Sequence, residues 1–195
     1  MAKEIRPEFF TRNVIDVARD LLGMQLVSSL DGIKCVGRIV EVEAYDGLND
    51  QACHAFRGCT PRTNVMFGPG GYFYVYFIYG MYHCVNVVCD QADRGSAVLI
   101  RALEPLLGTE TMQMRRKKPS PKLLCRGPGN LCNAMAIDRS CNGLSCLTKR
   151  RLWLEPDQVI KDSQIQTGPR VGISRSVELE WRFVIKNNPF VSKGN

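Results

Sequence analysis

Between Tyr72 and Tyr82, seven of eleven residues are aromatic (Tyr72, Phe73, Tyr74, Tyr76, Phe77, Tyr79 and Tyr82), and five of the chain's six tyrosines fall there. A run this dense, broken by Gly80, predicts a β-hairpin, because glycine readily takes the positive φ that a tight turn between two strands demands. Side chains alternate along a strand, so Tyr72, Tyr74 and Tyr76 share one side, while Tyr79, Gly80 and Met81 fall near the tip. One tyrosine packs easily into a core. Five together bring five phenolic hydroxyls that each need a partner, so this face is expected at a half-wet surface where flat ligands such as bases can stack.

Around this hairpin the chain reads as many strands with few helices. Asn13 ahead of Val14, Val17, Ala18, Leu21 and Leu22, with Gly23 as the stop, predicts a capped amphipathic helix. Met24–Ser28 and Ile33–Tyr45 read as strands joined through Leu30-Asp31-Gly32, an Asp-Gly turn signal. Residues 57–71, rich in glycine and proline, read as loop, and Ser96–Leu103 as a mostly apolar strand. Further on, Leu107–Met114 and Asn130–Ile137 are expected to be helical, with Lys117–Lys122 a basic linker between them. Short strands are expected at 151–154, 170–174 and 181–186. The sum is an α+β fold of one domain over residues 1–195, with a curved antiparallel sheet, flanking helices and a protruding β-hairpin.

Twenty-six Lys and Arg against 19 Asp and Glu give a net charge of +7, which favours a polyanionic partner. The basic residues cluster at Arg115, Arg116, Lys117, Lys118, Lys122 and Arg126, and again at Lys149–Arg151, where they could reach phosphates flanking a groove. Nine cysteines without a Cys-x-x-Cys pair, two histidines, and no N-terminal apolar signal segment lead us to expect reduced thiols in an intracellular protein without a metal. No apolar run approaches the roughly 18 residues a membrane span needs.

Against that basic background, Glu41, Glu43, Asp46 and Asp50 form an acidic stretch. Asp46 and Asp50 read as exposed turn residues. Glu43 lies in Gly37–Tyr45, where strict alternation would place Ile39, Glu41, Glu43 and Tyr45 on one face. Arg101 interrupts an apolar strand, and a guanidinium there is expected to be paired or functional, because burying it alone is costly.

Read in order, Arg38-Ile39-Val40-Glu41-Val42-Glu43-Ala44-Tyr45, His54, Tyr74-Val75-Tyr76-Phe77-Ile78-Tyr79-Gly80-Met81-Tyr82 with Asn86, Leu99-Ile100-Arg101-Ala102-Leu103-Glu104-Pro105, Arg126-Gly127-Pro128-Gly129-Asn130-Leu131-Cys132, Arg170-Val171-Gly172 and Asn188-Pro189-Phe190-Val191-Ser192 resemble the alkyladenine (3-methyladenine) DNA glycosylase family. The resemblance covers nearly the whole chain. It implies a monofunctional, cofactor-free and metal-free enzyme that hydrolyses the N-glycosidic bond of alkylated or deaminated purines in double-stranded DNA, leaving an abasic site. The family pattern makes Glu43 the general base and Arg101 its partner on the attacking water, with a third water contact from the backbone carbonyl near Ile185. Tyr45, Tyr76 and His54 then form the base pocket, and Asn86 crowds out the 2-amino group of normal guanine. Tyr79 becomes the wedge of a DNA-inserting hairpin, and Arg62, Met81 and Tyr82 contact the DNA backbone. His83 is expected to be structural.

The chain is expected to be without the long N-terminal extension of some members, and its loop at Gly58–Pro61 reads as shorter. A monomer is expected, in the cytoplasm and nucleoid of a bacterium or the nucleus of a eukaryote. Two rival readings exist: a non-catalytic nucleic-acid-binding module, which would gain affinity on losing Glu43, and a cysteine-rich redox or zinc protein.

Overall fold

The computed structural model describes residues 4–117 and 120–193. Its strands, β1 (Gln25–Ser28), β2 (Cys35–Tyr45), β3 (Phe73–Ile78), β4 (Tyr82–Cys89), β5 (Ser96–Leu107), β6 (Leu152–Glu155), β7 (Ile165–Gly168) and β8 (Arg182–Ile185), join in one curled antiparallel sheet. The strand order is β3-β4-β5-β2-β1-β6, and β8, with β7 beside it, attaches to β2. One edge of β2 is therefore shared: β1 pairs with Cys35–Arg38 and β8 with Glu41–Glu43. Three α-helices, α1 (Val14–Leu21), α2 (Thr109–Arg116) and α3 (Pro128–Ala134), and seven short 3₁₀ helices accompany the sheet in the described part. None is long and apolar enough to cross a membrane.

Helix α1 begins where Asn13 accepts the Ile15 N–H at 2.9 Å, a cap that contributes about 1 kcal/mol. Its Val14, Val17, Ala18 and Leu21 join the main core with Ile39, Val42 and Ala44 of β2 and Val98, Ile100 and Leu103 of β5. Each valine, leucine and isoleucine among them, fully buried, is stabilising by roughly 1.5–3 kcal/mol.

Those core positions break strict alternation, and the break builds the site. On β2 the core-facing residues run Ile39, Val42, Ala44, and on β5 they run Val98, Ile100, Leu103. In the pairing of the two strands, Val40 is the extra residue between Ile39 and Glu41, and Arg101 is the extra residue between Ala102 and Ile100. Two β-bulges thus lie side by side and cancel in register. The expectation that Ile39 shares a face with Glu41 and Glu43 fails for this reason. Ile39 is core, while Glu41, Glu43 and Arg101 meet on the opposite side.

Other differences have local causes. Asp31 and Gly32 both take positive φ (57° and 72°), as the Asp-Gly signal anticipates, although β2 starts only at Cys35. Leu107 ends β5 rather than opening a helix, and Gly108 at φ 79° separates it from α2. Pro128 opens α3 at a first-turn position that needs no N–H, so the helix starts before Asn130. Residues 170–174 form a loop, not a strand. Strand β7 escapes sequence reading because Ile165 is its only buried residue. Of two short 3₁₀ turns, Asn64–Phe67 lies within the segment 57–71 read as loop and His54–Arg57 leads into it. Of the expected basic linker, Lys118 and Pro119 lie outside the described residues.

Candidate active site

The aromatic run forms the β3–β4 hairpin, with Ile78 opposite Tyr82 and the Met81 N–H donated to the Ile78 carbonyl at 3.3 Å. Both central turn residues take positive φ, Tyr79 at 54° and Gly80 at 68°. Glycine does so freely. Tyrosine does not, and a residue held in this region stores about 1–3 kcal/mol of strain. Tyr79 is 80% exposed and Met81 66%, so the tip presents an aromatic and a thioether to solvent. At the other end of the hairpin Phe73 and Val75 enter the main core. His83 stacks against Phe77 at 5.0 Å, away from the site.

The opposite face of β3 lines a cavity of about 660 Å³ that also receives Tyr45, His54, Tyr82, Asn86 and Arg101. Sites for small organic molecules span roughly 300–1,000 Å³, so this one accommodates a purine with room to spare. His54 meets the Tyr76 ring edge-on at 4.6 Å, and its Nδ1 lies 3.2 Å from the Tyr74 hydroxyl. Burial, aided by nearby Arg62, pulls the His54 pKa below its usual 6.5, so the ring is neutral at physiological pH. Asn86 is buried and donates its amide to the Tyr74 carbonyl at 3.0 Å, which fixes its orientation in the wall. Arg62, itself exposed, lies over the outer side of Tyr76 at 5.2 Å, and Tyr82 packs on Gly129, where any Cβ would collide with its ring.

Behind this wall the two bulges bring three charges together. The Arg101 Nε donates to Glu41 Oε1 at 3.0 Å and lies 3.4 Å from Glu43 Oε1, with Nη1 3.4 Å from Glu43 Oε2. Glu43 also accepts the Tyr45 hydroxyl at 2.8 Å and the Val171 backbone N–H at 2.7 Å. Glu41 accepts Arg182 Nε at 2.8 Å, and both the N–H and hydroxyl of Ser192, at 2.6 and 2.8 Å. Burial raises the Glu43 pKa above the ordinary 4.5, while Arg101, Val171 and Tyr45 pull the other way. For Arg101, burial opposes the charged form, but the two carboxylates outweigh it and raise its pKa. A carboxylate that is desolvated, oriented and adjacent to a large cavity is suited to take up a proton.

Residues 8–189 match the Methylpurine-DNA glycosylase (MPG) family. Proteins bearing the name "Putative 3-methyladenine DNA glycosylase" are similar over almost their full length. That of Carboxydothermus hydrogenoformans is 44% identical, covering 95% of this chain and 97% of its own. That of Alkaliphilus oremlandii is 44% identical over 97% and 99%, and that of Agrobacterium fabrum 46% identical over 97% and 93%. The chain belongs to the methylpurine-DNA glycosylase family. It is therefore a DNA glycosylase, a hydrolase of N-glycosyl bonds that serves DNA repair.

Several residues of this glycosylase site were not legible as such. Asp50, expected as an exposed turn residue, is fully buried and forms a two-pronged ion pair with Arg170, whose Nη2 donates to Asp50 Oδ1 at 2.8 Å. Asp46 is buried too, accepting the Leu48 N–H and the Ser96 hydroxyl. The Arg170 guanidinium lies 4.6 Å from the Tyr45 ring and 5.4 Å from Trp181, and it donates to the Ala44 carbonyl at 2.9 Å. It so fixes both the Tyr45 wall and the loop that delivers Val171 to Glu43. The only hint in the sequence was the Arg170-Val171-Gly172 block itself. Ile185, expected near the water, sits in β8 opposite Ile165 and lines neither described cavity; the backbone group that does reach Glu43 is the N–H of Val171.

No three Cys, His, Asp or Glu side chains gather as metal ligands among the described residues. All nine cysteines are unpaired, and all but Cys59 are buried.

Proposed function

We propose that this glycosylase rotates an alkylated or deaminated purine nucleotide out of duplex DNA and hydrolyses its N-glycosidic bond with a water activated by Glu43. The observation that carries this reading is the Glu43–Arg101 pair placed against an aromatic cavity, with Tyr79 exposed on the hairpin beside it. Tyr79 fills the gap left in the base stack, which keeps the nucleotide from returning. Tyr45 and Tyr76 sandwich the extruded purine, His54 borders its edge, and Asn86 rejects the 2-amino group of guanine by collision. Arg62, Met81 and Tyr82 contact the DNA backbone.

Glu43 is not itself on the cavity wall; Tyr45, Arg101 and Val171 stand between. The contacts to Arg101 are its long ones, at 3.4 Å, and a water admitted there meets a carboxylate acceptor and a guanidinium donor together. The water oxygen bonds to the sugar C1′ as its proton passes to Glu43, and the C–N bonding pair leaves with the purine. Carboxylates close to the sugar stabilise positive charge as it develops there. The protein works inside the cell as a monomer, with no metal or cofactor. The names of its relatives support 3-methyladenine among its substrates. The test uses duplexes carrying one defined lesion each (methyladenine, methylguanine, hypoxanthine or ethenoadenine) with alkaline cleavage of abasic sites, in excess chelator. Base release by the wild type, and none by Glu43→Gln, is expected; equal single-turnover rates would remove Glu43 from the role of general base.

A further inference from the structure

A second cavity, about 540 Å³, shares the Arg101 wall with the first. Four residues, Arg101, Gly127, Asn130 and Val171, line both cavities, so the two meet at the place where Arg101 faces Glu43. The chemistry of the second chamber is unlike that of the first. Arg116, Arg126 and Lys193 line it, with no tyrosine, and no carboxylate among its described lining residues. Because Arg101 is already balanced by Glu41 and Glu43, the excess positive charge belongs to the other three cations.

Two of those cations are aimed by the backbone. Arg126 pairs with Ala102 of β5 in an isolated bridge next to the Arg101 bulge, and its Nε donates to the Val191 carbonyl at 2.8 Å. Arg116 at the end of α2 donates its Nε to the Leu124 carbonyl at 3.1 Å. In each case one edge of the guanidinium is tied to main chain. Neither side chain has an acidic partner among the described residues. A planar donor pair held in place but unneutralised is suited to phosphate oxygens.

We propose that this chamber binds a phosphodiester of the strand that carries the extruded nucleotide. Base and backbone then occupy separate chambers, and the bond to be broken lies at their common wall. The inference rests on the nucleotide-flipping reading above, and it assigns Arg116 and Arg126 as phosphate ligands, with Lys193 at the rim.

The test is equilibrium binding to a lesion duplex whose 2′-fluoro sugar resists cleavage, measured from low to moderate salt. Removing one phosphate ligand should reduce the slope of log K against log salt by about 0.9. Arg126→Gln and Arg116→Gln should each show that reduction, and the double variant about twice it. Lys186→Gln, whose native ammonium is held by the Ser163 carbonyl outside both cavities, should leave the slope unchanged. Duplexes with one neutral methylphosphonate at a time then locate the phosphate: a linkage beside the lesion should weaken wild type but cause no further loss in Arg126→Gln. Unchanged slopes in the arginine variants, an equal drop in Lys186→Gln, or methylphosphonate losses identical in wild type and variant would each overturn the assignment. Its failure is distinct from failure of the glycosylase mechanism, which would appear as no base release by wild type from any lesion duplex.

Discussion

Glu41 and Glu43 lie two residues apart on one face of β2, and both are completely buried, yet their surroundings make them different reagents. Four donors converge on Glu41, two of them from the guanidinium groups of Arg101 and Arg182. Glu43 has two short neutral donors and only the longer reach of Arg101. Burial is the same for both, so it does not distinguish a structural carboxylate from a reactive one. The number of donors and the closeness of the countercharge do.

Exchanging either carboxylate should separate rate from stability. Glu43→Gln is expected to lower single-turnover excision by about 10²–10⁴-fold or more, the usual worth of a general base, while lesion-duplex affinity holds or rises. Its melting temperature at pH 7 should stay at or above that of wild type. The raised pKa of Glu43 means that its stabilising proton is in place below the ordinary carboxylate range and is lost as pH rises through the raised value, so the ionised form burdens the fold at neutrality. The advantage of the variant should shrink as pH falls toward 4.5. A variant that melts well below wild type at pH 7 would make Glu43 as structural as its neighbour.

Glu41→Ala should do the reverse. It strands Arg101 with a single partner and removes the anchor of Ser192, so urea denaturation should register a loss of about 3–5 kcal/mol, typical of a broken buried pair. Full stability in this variant would erase the distinction. Tyr79→Gly comes next: the turn keeps a residue that accepts φ 54° and loses only the ring. Stability should be equal or higher by up to about 1 kcal/mol, while excision of a lesion paired within a duplex falls by an order of magnitude or more. Wild-type excision there would remove the wedge from the mechanism.

The smallest effect is expected at Asn86. Asn86→Ser leaves Glu43 and Arg101 intact and opens the wall beside Tyr74, so release of guanine or methylguanine should rise relative to ethenoadenine or hypoxanthine, by roughly tenfold. An unchanged ratio in matched duplexes would move guanine exclusion elsewhere. The pH profile supplies a last check. The rate of the wild type should fall with acid from a pH above the normal carboxylate range, because the base must be ionised and burial resists ionisation.

The hairpin was legible because its signal is local: aromatic density, alternation and Gly80 specify two strands and a tip without reference to the rest of the chain. The α1 helix was legible through its cap and stripe. Tyr45, His54, Tyr76, Asn86 and Arg101 do converge on one cavity, although in the sequence it was the family pattern, and not spacing, that linked them. Asp50 and Arg170 stayed hidden because their contact spans 120 residues and neither carries a local mark; an aspartate in a turn is ordinarily wet. Val171 was hidden for a different reason. It acts through its backbone, which a sequence does not display.

The paired bulges at Val40 and Arg101 also determine which kinds of genetic change this site tolerates. Replacing Val40 by another apolar residue preserves the count of positions along β2, but deleting it would leave the Arg101 bulge without its counterpart and draw Cys35–Arg38 one residue closer to Glu41–Glu43, against the places that β1 and β8 give them. A deletion on β5 that restored the count would have to fall at the matching bulge, at Arg101 or beside it at Ala102. Length at this point is therefore more constrained than chemistry, and descendants of this protein should vary here by substitution and almost never by a single codon gained or lost.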